Sequence, residues 1–101
     1  MEIATKDKIL EFLKEQKPYL NKPFNLTKIG LFGSFANESA TSESDIDLIV
    51  EFENGTLDIF GKKESLRKLF FDKFNRSVDV ATEKYLKPYY KQQILKEVIY
   101  V

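Results

Sequence analysis

The run DIDLIVEF, Asp45 to Phe52, constrains this chain more than any other stretch. Its even positions, Ile46, Leu48, Val50 and Phe52, are all apolar, and its odd positions are Asp45, Asp47, Ile49 and Glu51. A period of two marks a strand with one packed face and one largely open face. Residues two apart on a strand project from the same side, about 6.6 Å from each other along the chain. Two bare carboxylates at that spacing repel by roughly 2 kcal/mol at an effective dielectric of about 20. A divalent cation reverses the sign of that interaction and takes both as ligands. The strand therefore fixes an architecture and poses a chemical question together.

The elements around it follow from shorter signals. Thr5 is a candidate N-cap, and Ile9, Leu10 and Leu13 share one helical face, so a helix is expected over Thr5 to Gln16. Pro18 should interrupt it. Leu26 to Phe32 reads as a strand ending at Gly33. Ser34 is placed to cap a short helix over Phe35 to Asn37, and the polar stretch Glu38 to Ser44 reads as a loop. After the turn Glu53-Asn54-Gly55 a helix runs from Leu57 with Leu66, Leu69, Phe70 and Phe74 in period, and Gly61 is a candidate break. Ser77 to Thr82 forms a short strand with Val78 and Val80 on one side and Asp79 and Ala81 on the other. Pro88 opens a last helix, followed by the apolar tail VIYV. The order α-β-α-β-α-β-α in 101 residues predicts a single α/β (α+β) domain over 1–101.

Composition removes several chemistries. The chain has no Cys and no His, which excludes a thiol nucleophile, a His general base, a Ser-His-Asp triad and zinc sites built on those ligands. The metal ligands left are carboxylates, which suit hard cations such as Mg²⁺. Sixteen Lys and Arg balance sixteen Asp and Glu, so net charge is zero and no direct nucleic-acid binding is expected. The charged start MEIATKDKILEF and the lack of a long apolar run predict neither a signal peptide nor a membrane span; a cytoplasmic protein is the expectation. If the strands bearing Asp47 and Asp79 are neighbours, Asp45, Asp47 and Asp79 share the open face. Such a cluster would hold a pair of Mg²⁺ ions for an in-line phosphoryl or nucleotidyl displacement. Gly33 lets a phosphate approach the backbone, and Ser34 with the helix start behind it offers a hydroxyl and free N–H groups. Each feature has an ordinary reading, a capped turn or a solvated acid. Their agreement across two strands is what points to a site. Tyr89, Tyr90 and Tyr100 stand apart from the core aromatics, because adjacent tyrosines on a helix cannot both face one core.

These residues, Gly33-Ser34 ahead of Asp45-Ile-Asp47 with Asp79 on a later strand, resemble the DNA polymerase beta-like nucleotidyltransferase superfamily. With the flanks KIGLFGSFA, SDIDLIVEF and VDVATEKYLKPYYKQQILKEVIYV, nearly the whole chain is similar to its smallest branch, the minimal nucleotidyltransferase (MNT-domain) proteins. The resemblance implies a nucleotidyltransferase fold with a small mixed three-stranded sheet packed on one face by helices. It implies ATP held at Gly33 and Ser34, Mg²⁺ held by Asp45, Asp47 and Asp79, and transfer of AMP with release of pyrophosphate. Asp79 would help deprotonate the acceptor hydroxyl. By the same resemblance the partner is a HEPN-domain RNase toxin, neutralised by adenylylation of a tyrosine, by binding, or by both. A small-molecule acceptor, as in enzymes that modify aminoglycosides, is the alternative within the superfamily. One departure stands out: the family pattern Gly-Ser-x-Ala-Arg-Gly-Glu here reads Asn37, Glu38 and Ser39 after Ala36. The missing cation predicts weaker nucleotide binding and favours a copy that acts by binding.

Overall fold

The computed structural model describes residues 3–101. The chain runs α1 (Lys6–Asn21), β1 (Leu26–Phe32), α2 (Gly33–Ala36), β2 (Ile46–Phe52), α3 (Ile59–Phe74), β3 (Val78–Thr82), a 3₁₀ turn (Glu83–Tyr85), α4 (Pro88–Glu97) and β4 (Ile99–Tyr100). The strands form one mixed sheet in the order β3-β2-β1-β4. β2 lies antiparallel to β1 and parallel to β3, and β4 lies antiparallel to β1.

Register explains the core. Leu31 faces Leu48, which faces Val80, and Ile29 faces Val50. With Ile46 and Val78 they make one continuous apolar surface, all buried. The apolar stripes of α1 and α3 cover it through Ile9, Phe12, Leu13, Leu66, Phe70 and Phe74. Phe12 meets Phe70 and Phe74 edge-on, with ring centroids 5.0 and 5.7 Å apart, a geometry that adds about 1 kcal/mol to the burial itself.

The sheet has four strands rather than the expected three. The tail after α4 supplies the extra one, with Ile99 pairing with Leu31 and Tyr100 with Gly30. A Cβ on Gly30 would stand 2.6 Å from Val98 Cγ2 and 3.0 Å from Tyr100 Cδ1, so this close seat requires glycine. The second face is consequently not largely open. Ile49 is 1% exposed there, in the row of Gly30 and Ala81, with the C-terminal segment folded over that row.

Three local expectations also change. α1 begins at the Thr5 cap but runs through Pro18 to Asn21. Pro18 is exposed, so the carbonyl that loses its donor can turn to water, while buried Leu20 anchors the last turn. α3 passes through Gly61 without a break, because the Asp58 side chain caps the helix by accepting the Gly61 N–H at 3.1 Å. α2 starts at Gly33, with Phe32 in the cap position and no side-chain cap, so Ser34 lies inside the turn rather than at its head.

Candidate active site

The sheet register brings the acids together. Phe32, Asp47 and Asp79 are consecutive cross-strand partners on β1, β2 and β3, and therefore share one row on the second face. Asp45, just ahead of β2, belongs to the same side by the strand period. Asp47 is half-buried while Asp45 and Asp79 are exposed. Burial, then the charge of Asp79, then that of Asp45 push the Asp47 carboxyl up to about 6. The Asp47 carboxylate thus feels both of the other acids.

The turn after β1 touches this row directly. Gly33 has φ +74, a conformation that L side chains rarely adopt. A Cβ there would fall within van der Waals contact of Asp47 Oδ2 and 3.0 Å from its Cγ. Gly33 is thus required by backbone and carboxylate alike, and the two halves of the motif meet at this contact. Ser34, one residue on, is half-buried; its carbonyl accepts the Ser39 N–H at 2.9 Å, and its hydroxyl has no partner among the described residues.

Donor chemistry fits a hard dication: all three side chains are carboxylates, and their mutual repulsion is the cost a cation would remove. Among the described residues no three acids are already drawn into a ligand cage. A bound ion would have to gather them from an open surface. Two hollows among the described residues, of 270 and 500 Å³, lie elsewhere, beside Thr5 and Phe35 and between α3 and Arg76.

The position of the departed arginine is occupied by local contacts. Asn37 Oδ1 accepts the Ser39 N–H at 3.0 Å, and Glu38 reaches Lys6 at 3.2 Å, at the start of α1. Glu38 is therefore drawn to a lysine at the start of α1. Lys28 is engaged as well, 3.8 Å from Glu83 and above the ring of Tyr100. Two further cations, not singled out by the sequence, bear on the acids or the backbone beside them. Lys63 on α3 interacts with Asp79, although burial and the neighbouring Arg67 push its ammonium down from the ordinary lysine range. Arg76, just ahead of β3, bonds the loop that leads to Asp45. Neither carries a local signal, because both act on residues distant in the chain.

Comparison with known proteins places the chain in a family. The nucleotidyltransferase domain model matches residues 6–101. This chain belongs to the nucleotidyltransferase domain family. A protein of Methanocaldococcus jannaschii named as a candidate protein adenylyltransferase is 35% identical over 98% of this nucleotidyltransferase and the whole of the relative. Protein adenylyltransferase MntA of Thermococcus cleftensis is 31% identical over the full length of both. Among solved structures, a candidate minimal nucleotidyltransferase superposes with a TM-score of 0.75 at 27% identity, covering 95% of each chain. An MNT antitoxin in complex with a tri-AMPylated HEPN toxin of Shewanella oneidensis has a TM-score of 0.56 at 22% identity, covering 94% of this chain and 67% of that one, a likeness of fold alone. Among the described residues of this nucleotidyltransferase no helix is long and apolar enough to cross a membrane.

Proposed function

We propose that this nucleotidyltransferase moves AMP from ATP onto a tyrosine hydroxyl of a HEPN-domain toxin and is the antitoxin of that pair. The observation that carries the reading is the placement of Asp47 beside Asp79, with Gly33 pressed against the Asp47 carboxylate. The names of the full-length relatives support protein adenylylation, and the toxin is proposed as partner on the fold shared with an antitoxin solved with its toxin.

In this reading the side-chain-free backbone of Gly33 and the free hydroxyl of Ser34 hold the phosphates, and Asp45, Asp47 and Asp79 hold Mg²⁺. The metal, when bound, neutralises charge on the triphosphate and on the leaving pyrophosphate. The acceptor oxygen forms a bond to the α-phosphorus, and the bond from that phosphorus to pyrophosphate breaks. The acceptor proton passes to a carboxylate oxygen of Asp79, the exposed acid of the row and the one a large acceptor can reach. Incubation with labelled ATP, Mg²⁺ and the HEPN toxin labels the toxin, and Asp47→Ala lowers the rate by about a hundredfold or more.

One observation favours a second reading, neutralisation by binding alone. No residue of α4 is buried, and it presents Tyr89 and Tyr90 at 68% and 57% exposure. If wild type and Asp47→Ala both neutralise the toxin and neither labels it, the transfer reading is wrong and this one stands.

A further inference from the structure

We propose that Arg76 is a positioning residue whose guanidinium holds the backbone carrying Asp45 in register with the turn carrying Gly33 and Ser34. The inference rests on the reading of those residues as the site of transfer. Arg76 lies between Asn75, the C-cap of α3, and β3. Its Nη1 donates to the carbonyl of Thr41 at 3.0 Å and to that of Ser44 at 2.9 Å. Its guanidinium carbon stands 5.4 Å from the centroid of the Phe35 ring. Phe35 is buried and belongs to α2, the turn that begins at Gly33. One planar group therefore joins the two halves of the site, by hydrogen bonds to the loop and by its place over the Phe35 ring.

The next residue completes the arrangement. Ser77 accepts the N–H of Ile46 through its carbonyl at 2.9 Å. Asp45 is thus flanked by two anchored residues, Ser44 and Ile46, although its own side chain is exposed. The loop also bonds to itself, from Thr41 N–H to Ser44 Oγ at 2.8 Å and from Ser44 N–H to the Thr41 carbonyl at 3.2 Å. Those bonds give it a shape, and Arg76 gives that shape a fixed place against β3 and α2. A ligand displaced by about 1 Å can cost a transfer reaction about a hundredfold, so this anchor matters to an acid that has no packing of its own.

The test uses the full chain with Arg76→Ala and Arg76→Lys. In metal-free protein, Arg76→Ala should speed amide exchange across residues 42–46 by about tenfold or more and leave the amides of α3 around Phe70 unchanged. Mn²⁺ affinity should fall by about tenfold, and kcat should fall more than KM for ATP rises. Arg76→Lys keeps a donor for the carbonyls without the stacking plane, and recovers part of each effect. Unchanged exchange at 42–46, or equal loosening of that loop and α3, overturns the proposal. So does a loosened loop with Mn²⁺ affinity intact. A wild-type protein that binds no Mn²⁺ counts against the proposed function, while the exchange comparison still decides whether Arg76 anchors the loop.

Discussion

Asp47 holds a charge that its surroundings resist, and this has a thermodynamic consequence. A carboxyl whose folded pKa lies above its unfolded value stabilises the fold while protonated. That contribution is whole below the ordinary value of 3.8 and is lost as pH climbs through about 6. Metal-free protein should therefore be more stable at pH 4.5 than at pH 7.5 with respect to this group, by about 1 kcal/mol once partial exposure is discounted. Asp47→Asn should raise the metal-free midpoint in urea at pH 7.5 and change it little at low pH. Mg²⁺ should stabilise wild type at pH 7.5 and leave Asp47→Asn unmoved; equal responses of the two proteins would remove Asp47 from the metal site. The position of this residue was legible in the sequence because the strand period dictates a face from neighbours one and two places away. Its register with Asp79 was legible only as a condition on strand order, and β3 beside β2 meets that condition. Arg76 was illegible for the opposite reason: its carbonyl partners lie 32 and 35 residues away, and NRSVD gives no sign that an arginine there looks back to a loop.

At the scale of elements, strands with strong alternation were read nearly to the residue, and the ends governed by tertiary contact were not. Pro18 stayed inside α1 because Leu20 beyond it has a core to enter. Ser34 looked like a cap, but the helix starts one residue earlier, where the positive φ of Gly33 makes the turn. The tail VIYV was apolar without being recognisably a strand, since β4 pairs only Ile99 and Tyr100 and exists because β1 offers an edge next to a glycine. That dependence is testable. Gly30→Ala would put a methyl 2.6 Å from Val98 Cγ2 and 3.2 Å from the Ile99 carbonyl oxygen, and should destabilise the protein by about 1–3 kcal/mol in urea melts. Val98→Ala made in the same chain removes the nearer clash but not the carbonyl, so the double variant should lose less than the sum of the singles. Strict additivity would mean that Val98 does not sit over Gly30.

At the scale of the whole molecule, zero net charge conceals a partition. Residues 37–51 hold Glu38, Glu43, Asp45, Asp47 and Glu51 with no Lys or Arg, whereas residues 84–96 hold Lys84, Lys87, Lys91 and Lys96 with no acid. The two regions meet where β2 touches the 3₁₀ turn, with the Lys84 N–H donating to Glu51 Oε1 at 2.7 Å, and α4 also touches α2 beside the acidic stretch. Under the proposed function, a protein acceptor offering a hydroxyl to Asp79 would approach an acidic row and, beyond α2, a lysine-bearing helix whose tyrosines face solvent. Tyr89 and Tyr90 are both exposed, and their rings meet edge-on with centroids 5.7 Å apart. Removing both rings by Tyr89→Ala and Tyr90→Ala should leave the thermal midpoint within about 5 °C of wild type, since surface changes away from special contacts cost about 0.5 kcal/mol or less each. The same variant should weaken binding of the HEPN toxin by about tenfold or more in calorimetry, the loss expected when aromatic anchors leave an interface. Asp47→Ala, in contrast, should bind the toxin and fail to modify it. This pair of variants separates holding the partner from acting on it, and a tyrosine variant that binds as tightly as wild type would show that the partner seats on another face.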